Sequence, residues 1–220
     1  MSTTSDRPTM RDNRELTSPQ ERYDARLQRR SSTQLQRRVV EQERASIDEA
    51  LDQILTDESI AQAAARIVAA RRRFIIGSAK SFSYASLLAF DLGVGLSQVT
   101  LIDGTVVRGV DVLADVRSND LMVAFSFRRY RRDTVDIAQR FVEAGGELVA
   151  ITDFEDAPLA KIADQSIYVA TGSASYVDSP TVVASVLHVL ATLTTASAKG
   201  ARRRLVERDR LNTELGLYVN

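Results

Sequence analysis

A serine closing an apolar run, four arginines behind it and a threonine at the start of a helical pattern form the densest group of chemically useful side chains in this 220-residue chain. The stretch is Asn119–Gly146. Leu121–Phe125 is an apolar run of the length and type that makes a buried parallel strand. Ser126 follows, then Arg128, Arg129, Tyr130, Arg131 and Arg132, then Asp133-Thr134. From there Val135, Ala138, Phe141 and Val142 recur at helical spacing, and Gly145-Gly146 stops the helix. The stretch therefore reads as strand, polar loop, helix. In open parallel sheets ligands bind at the carboxyl ends of the strands, where such loops lie. A helix N-terminus there presents free N–H groups and a partial positive charge. A serine and a run of guanidinium groups at that point indicate an anionic ligand.

The elements that must position this loop repeat its plan. Phe74–Ile76 is a short apolar strand ending at Gly77, with the loop Ser78-Ala79-Lys80-Ser81 behind it and a helix expected over Phe82–Leu92. Further strands are expected at Val99–Ile102, Leu148–Ile151 and Ser166–Val169. Helices are expected over Val106–Val116 and Leu159–Ala163, from Ser179-Pro180 to about Ala196, and over Ala201–Leu215. The alternation predicts an α/β fold: a three-layer α/β/α sandwich on a five-stranded parallel sheet, flavodoxin-like in plan. Residues 1–33 are polar and contain no Val or Ile, so a disordered or loosely helical tail is expected there. A helix or linker is expected over 34–55, with a restart where Ser46 and Glu49 resemble a capping box. Thr56-Asp57-Glu58 is expected to cap the next helix, and 56–220 to form the main domain.

Composition narrows the function. There is no cysteine and a single histidine, which removes thiolate and histidine-rich metal sites and a cysteine nucleophile. The formal net charge is zero, so bulk charge gives no argument for nucleic acid or membrane. The loop Gly77-Ser78-Ala79 lacks the second glycine of a dinucleotide fingerprint, and no GxxxxGK[ST] run occurs. No cofactor and no metal are expected. The N-terminus lacks the apolar core of a signal peptide, and Val182–Ala198, broken by His188 and hydroxyl residues, reads as a buried core helix. A cytoplasmic protein with no membrane association is the expectation.

Four segments carry a resemblance: RFIIGSAKS, DLMVAFSFRRYRRDTV, GGELVAITDFEDAPLAKIAD and LNTELGLYV. Over about Ile47–Tyr218 the chain resembles the sugar isomerase (SIS) domain family, and more narrowly the ligand-binding half of RpiR/MurR-type transcriptional regulators. The resemblance implies binding of phosphorylated sugars through loop serines at helix N-termini, and a homo-oligomer, dimer or tetramer. Ser81 matches the family's first-loop serine. Ser126 matches the first serine of its Ser-x-Ser-Gly-x-Thr loop. Arg128 stands at the second serine, Arg129 at the glycine and Arg131 at the threonine, so hydroxyl donors have given way to cations. The residues expected at the ligand are Ser78, Lys80, Ser81, Ser126, Arg128, Arg129, Tyr130, Arg131 and Thr134. The arginine cluster has three readings that stay open: a ligand anion, acidic residues of another subunit, or solvent. Tyr130 either packs on a sugar face or covers an apolar neighbour.

Three function classes follow. The first is a non-catalytic module that binds a phosphosugar or related anionic carbohydrate derivative, in the lineage of these regulators. Residues 1–45 are too few and too polar for the helix-turn-helix domain of such regulators, so DNA is expected to bind only weakly or through a missing domain. The second is a phosphosugar aldose–ketose isomerase, for which His188 is the one candidate base. In the apolar run VVASVLHVLATL, however, that residue reads as a packed core histidine. The third is an oligomerisation module with a degenerate pocket.

Overall fold

The structure is a computed structural model and describes residues 18–27 and 31–219. By its internal packing the chain divides into two compact units. One runs to Asp57 and includes Val169–Val186; the other comprises Glu58–Tyr168 and Leu187 onward.

The larger unit is built on the expected parallel sheet. Its strands are β1 (Arg72–Gly77), β2 (Val99–Ile102), β3 (Asp120–Phe125), β4 (Glu147–Thr152) and β5 (Gln165–Tyr168). They are ordered β2-β1-β3-β4-β5, every neighbour parallel. Central strand β3 is buried along its whole length, which is why it reads as an unbroken apolar run rather than an alternating one. Phe74, Met122, Phe141 and Leu148 lie in one core cluster, with the Phe74 and Phe141 rings edge to face at 5.8 Å. The helices, numbered along the chain, are α3 (Ser59–Ala69), α4 (Lys80–Gly95), α5 (Gly109–Leu113), α6 (Arg132–Glu143) and α8 (Ala201–Glu214). Helix α7 (Thr181–Ser197) begins in the smaller unit and ends in this one.

Several local expectations are corrected. The helix expected over Val106–Val116 shrinks to Gly109–Leu113, because the Asp103 carboxylate accepts the N–H groups of Thr105, Val106 and Val107 at 2.8–2.9 Å and holds them as a turn. The helix expected over Leu159–Ala163 is a run of turns. Asp164 is tied back to Leu148, its N–H to the carbonyl at 2.9 Å and its carboxylate to the Leu148 N–H at 2.8 Å, which leaves no room for regular helix before β5.

The smaller unit contains α1 (Pro19–Arg26), α2 (Ser32–Thr56) and the segment leading into α7. Of the polar tail expected over 1–33, residues 1–17 and 28–30 lie outside the described residues, and Pro19–Arg26 forms a capped helix. Its Arg22 and Arg26 are buried: Arg22 donates to Asp178 at 2.5 Å, and Arg26 donates to the carbonyls of Ser173 and Ser175 at 2.6 and 3.0 Å. Helix α2 runs without the restart expected at Ser46, whose hydroxyl accepts from the Gln42 side chain instead of capping. Thr56 also departs from its expected role. Its hydroxyl donates back to the carbonyls of Asp52 and Gln53, ending α2 rather than opening α3. Ser179 is the expected cap, accepting from the Thr181 N–H at 3.1 Å. Among the described residues, no single helix is long and apolar enough to cross a membrane.

Candidate anion-binding site

Sheet register brings the two polar loops together. Gly77 pairs with Phe125 and Phe125 with Ile151, so β1 and β3 end level, β4 ends one residue later at Thr152, and Ser78, Ser126 and Thr152 lie together at one edge of the sheet. The first loop is a turn fixed by its backbone. A Cβ at Gly77 would stand 2.6 Å from the Ser81 carbonyl oxygen, so only glycine fits without moving the turn. Ala79 sits at φ 54°, ψ −125°, a conformation that L residues rarely adopt, and the Ser81 N–H donates to the Ser78 carbonyl at 3.2 Å. Helix α4 starts immediately afterwards with no side-chain cap.

The second loop joins β3 to α6, which also starts without a side-chain cap. Ser126 is 2% exposed. Its backbone is fixed on both sides: the N–H donates to the Ile151 carbonyl at 3.2 Å, and its carbonyl accepts from the Thr152 hydroxyl at 2.7 Å. Its own hydroxyl has no hydrogen-bond partner among the described residues. A buried hydroxyl left unpaired costs about 1–3 kcal/mol, and a ligand that hydrogen-bonds it recovers that cost. Fully buried Thr134, in the first turn of α6, donates to the Ser78 hydroxyl at 2.9 Å and so ties the two loops directly. Ser78 in turn donates to Asp133, whose carboxyl is held below its usual range first by the Arg131 guanidinium, then by the Thr134 N–H and Ser78.

The arginine run does not converge on one point. Arg131 pairs with Asp133 at 2.9 Å on the surface. The Arg128 guanidinium lies over the Phe154 ring at 5.8 Å, while its N–H donates to Asp153 at 3.0 Å. The Tyr130 hydroxyl donates to the other Asp153 oxygen at 2.9 Å. Arg129, Arg132 and Lys80 are exposed. Ser78, Ser81, Ser126 and Thr134 therefore share one edge, whereas Arg128, Tyr130 and Arg131 are engaged by neighbours in the chain. Three residues the sequence did not single out shape the loop: the acceptor Asp153, the donor Thr152 and, through an edge-to-face contact with Tyr84 at 5.9 Å, Phe127. Asp153 is 7% exposed, and burial pushes its carboxyl above the usual range despite the donors it accepts. Burial, followed by the Asp153 charge, likewise pushes the Tyr130 phenol up. A strand ending in Thr152-Asp153 at the same sheet edge was the signal for these residues.

His188 is exposed on α7, a correction to the packed core position expected for it. The apolar run VVASVLHVLATL spans several helical turns, and a helix so placed still turns one stripe of residues outward. Among the described residues, no group of three or more His, Cys, Asp or Glu is placed to hold a metal ion.

Comparison with known proteins places this arrangement. The SIS domain family model matches residues 66–198. The sugar isomerase domain of an RpiR transcription factor from Sphaerobacter thermophilus is 29% identical, with a TM-score of 0.72 over 80% of this chain and 99% of that one. NanR of Vibrio vulnificus, solved in complex with ManNAc-6P, is 16% identical with a TM-score of 0.68, over 99% of this chain and 83% of that one. A Methanococcus jannaschii protein whose structure was read as a 3-hexulose-6-phosphate isomerase is 16% identical with a TM-score of 0.58, over 76% and 94%. No curated protein matches the chain.

Proposed function

The chain belongs to the SIS domain family, and from that premise we propose that it binds a phosphosugar or related anionic carbohydrate derivative without transforming it. The observation that carries this reading is the Ser126 hydroxyl, buried and unpartnered beside two uncapped helix N-termini. Ser78, Ser81 and Thr134 supply further hydroxyls. The dipoles of α4 and α6, whose N-termini meet at this edge, favour an anionic group. Lys80, Arg128, Arg129, Tyr130 and Arg131 form the rim, where cations add charge and the loop shapes access.

Sugar isomerisation needs a base that moves a proton between adjacent carbons. At the loop edge the candidate is Asp153, and its two oxygens already accept from Arg128 and Tyr130. A sensing role in an RpiR-type regulator lineage fits this better than catalysis. In that role the chain works as a cytoplasmic homo-oligomer, and any DNA contact of its own is weak and reads only phosphates.

The test is a thermal-shift screen of phosphosugars and sugar acids, followed by calorimetric titration of the best ligand into wild type and Ser126→Ala. Loss of one hydrogen bond to a charged group is expected to weaken binding about tenfold or more. Unchanged affinity in Ser126→Ala would place the ligand elsewhere.

A further inference from the structure

At the opposite edge of the sheet, two neighbouring arginines have different surroundings. Arg72 forms a two-pronged pair with fully buried Asp120 and also meets Asp115 at 3.0 Å. Arg73, only 7% exposed, meets no carboxylate among the described residues. It donates Nε to the Ile67 carbonyl at 2.6 Å, Nη2 to the Val68 carbonyl at 2.8 Å and Nη1 to the Ser97 carbonyl at 3.1 Å. A guanidinium has five N–H donors, so two remain, and among the described residues its charge has no counter-charge. Burial holds its pKa below the usual arginine value, the direction expected of an uncompensated cation.

Arg73 lines a cavity of about 460 Å³ whose other walls are the ends of α3 and α4 and the corner where α7 and α8 meet at 105°. That volume is within the range of small-molecule sites. Lys199, Arg203 and Arg204 also line it, and its lining contains no acidic residue. None of these three cations forms an ion pair with a described residue. The first turn of α8 opens onto the same cavity. Gly200 occupies the N-cap at φ 83° with no side-chain cap, and that turn holds no acidic residue. Arg202, Arg203 and Arg204 stand there instead, the charge that opposes the helix dipole at this end. A buried unpaired guanidinium, free cations and a wrongly charged helix start, all around one acid-free cavity, share a single physical remedy, which is an anion.

We propose that this cavity is a second ligand site, separate from the serine loops, and that it takes a small oxyanion of the phosphate or phosphate-ester class carrying at least two negative charges. Arg73 and the α8 N–H groups hold the inner oxygens, and Lys199, Arg203 and Arg204 close over the outer ones. The site does not depend on the ligand proposed for the loop edge.

Inorganic pyrophosphate is the probe. It is titrated calorimetrically into Ser126→Ala protein, in which the loop site is weakened, and into the same protein carrying Arg203→Ala and Arg204→Ala. Binding at one site in the first protein, and at least about tenfold weaker binding in the second, is expected. Equal binding in both, or none in the first, overturns the proposal. So does a heat or melting shift reproduced by sodium chloride at matched ionic strength. Melting without pyrophosphate gives an independent reading. Removing two first-turn cations leaves the melting temperature unchanged or raises it if they lack internal partners, and a lowered melting temperature would show that the protein already pairs them.

Discussion

The β1–α4 turn and the β3–α6 loop stand side by side at one sheet edge, yet they hold their shapes by different means. In the first, Ser78 and Ala79 alone separate strand from helix, and the backbone determines the path: Gly77 against the Ser81 carbonyl, Ala79 at positive φ. In the second, Ser126 to Arg131 form a longer excursion, anchored from outside by Asp153 on the Arg128 N–H and the Tyr130 hydroxyl. A turn fixed by its backbone tolerates almost no added volume. A loop fixed by side chains tolerates changes in its own sequence while its anchor is intact. The contrast gives a physical reason why the second loop accommodates arginines at positions where the family has small residues.

The strongest way to break the comparison is Gly77→Ala. The new methyl meets backbone rather than a flexible side chain, so about 3 kcal/mol of stability is expected to be lost, read by urea denaturation. A loss under about 1 kcal/mol would show that the first turn is as compliant as the second.

Asp153→Ala attacks the other loop's anchor and strands two partly buried donors, at a cost of about 2 kcal/mol. Asp153→Asn sharpens the point, because the amide oxygen still accepts from Arg128 and the amide nitrogen can donate to the Tyr130 oxygen. Little stability is expected to change, but the pH dependence is. The Asp153 carboxyl is raised in the folded protein, so between its unfolded value of about 4 and its folded value the native state holds the extra proton. Its contribution to stability is therefore largest at acid pH, falls as pH rises through that window, and levels off above it. The wild-type minus Asp153→Asn difference in unfolding free energy, measured from about pH 4 to about pH 7, is expected to show that fall. A flat difference would mean the carboxyl is not perturbed by burial.

Ala79→Gly has the smallest expected effect and the opposite sign. Glycine relieves the positive-φ strain at a cost in chain entropy, for a net gain of at most about 1 kcal/mol and a slightly higher melting temperature. A loss of stability would show that the alanine methyl packs rather than strains.

Much of this protein is legible in its sequence. Apolar runs such as Leu121–Phe125 are unambiguous because a parallel strand buried on both faces has no alternation to preserve. Polar loops at strand ends, Ser78–Ser81 and Ser126–Thr134, were found for the same reason, since strand and helix periodicities bracket them. The failures were of another kind. Val106–Val116 looked helical because apolar spacing does not record that Asp103 captures three N–H groups ahead of it. The burial of Arg22 and Arg26 was not legible, because the sequence does not show that Asp178 and the Ser173 and Ser175 carbonyls come to meet them.

By itself, then, the sequence determined the strands, most of the helices and the two loops that carry hydroxyls, because each shows in the pattern of apolar residues over a short window. Only the tertiary structure decided which of those side chains are free. Among the described residues the Ser126 hydroxyl is unpartnered, Asp153 holds the Arg128 N–H and the Tyr130 hydroxyl, and Arg73 is buried without a counter-charge, because burial and partnership depend on groups from separate segments that meet only in the folded chain.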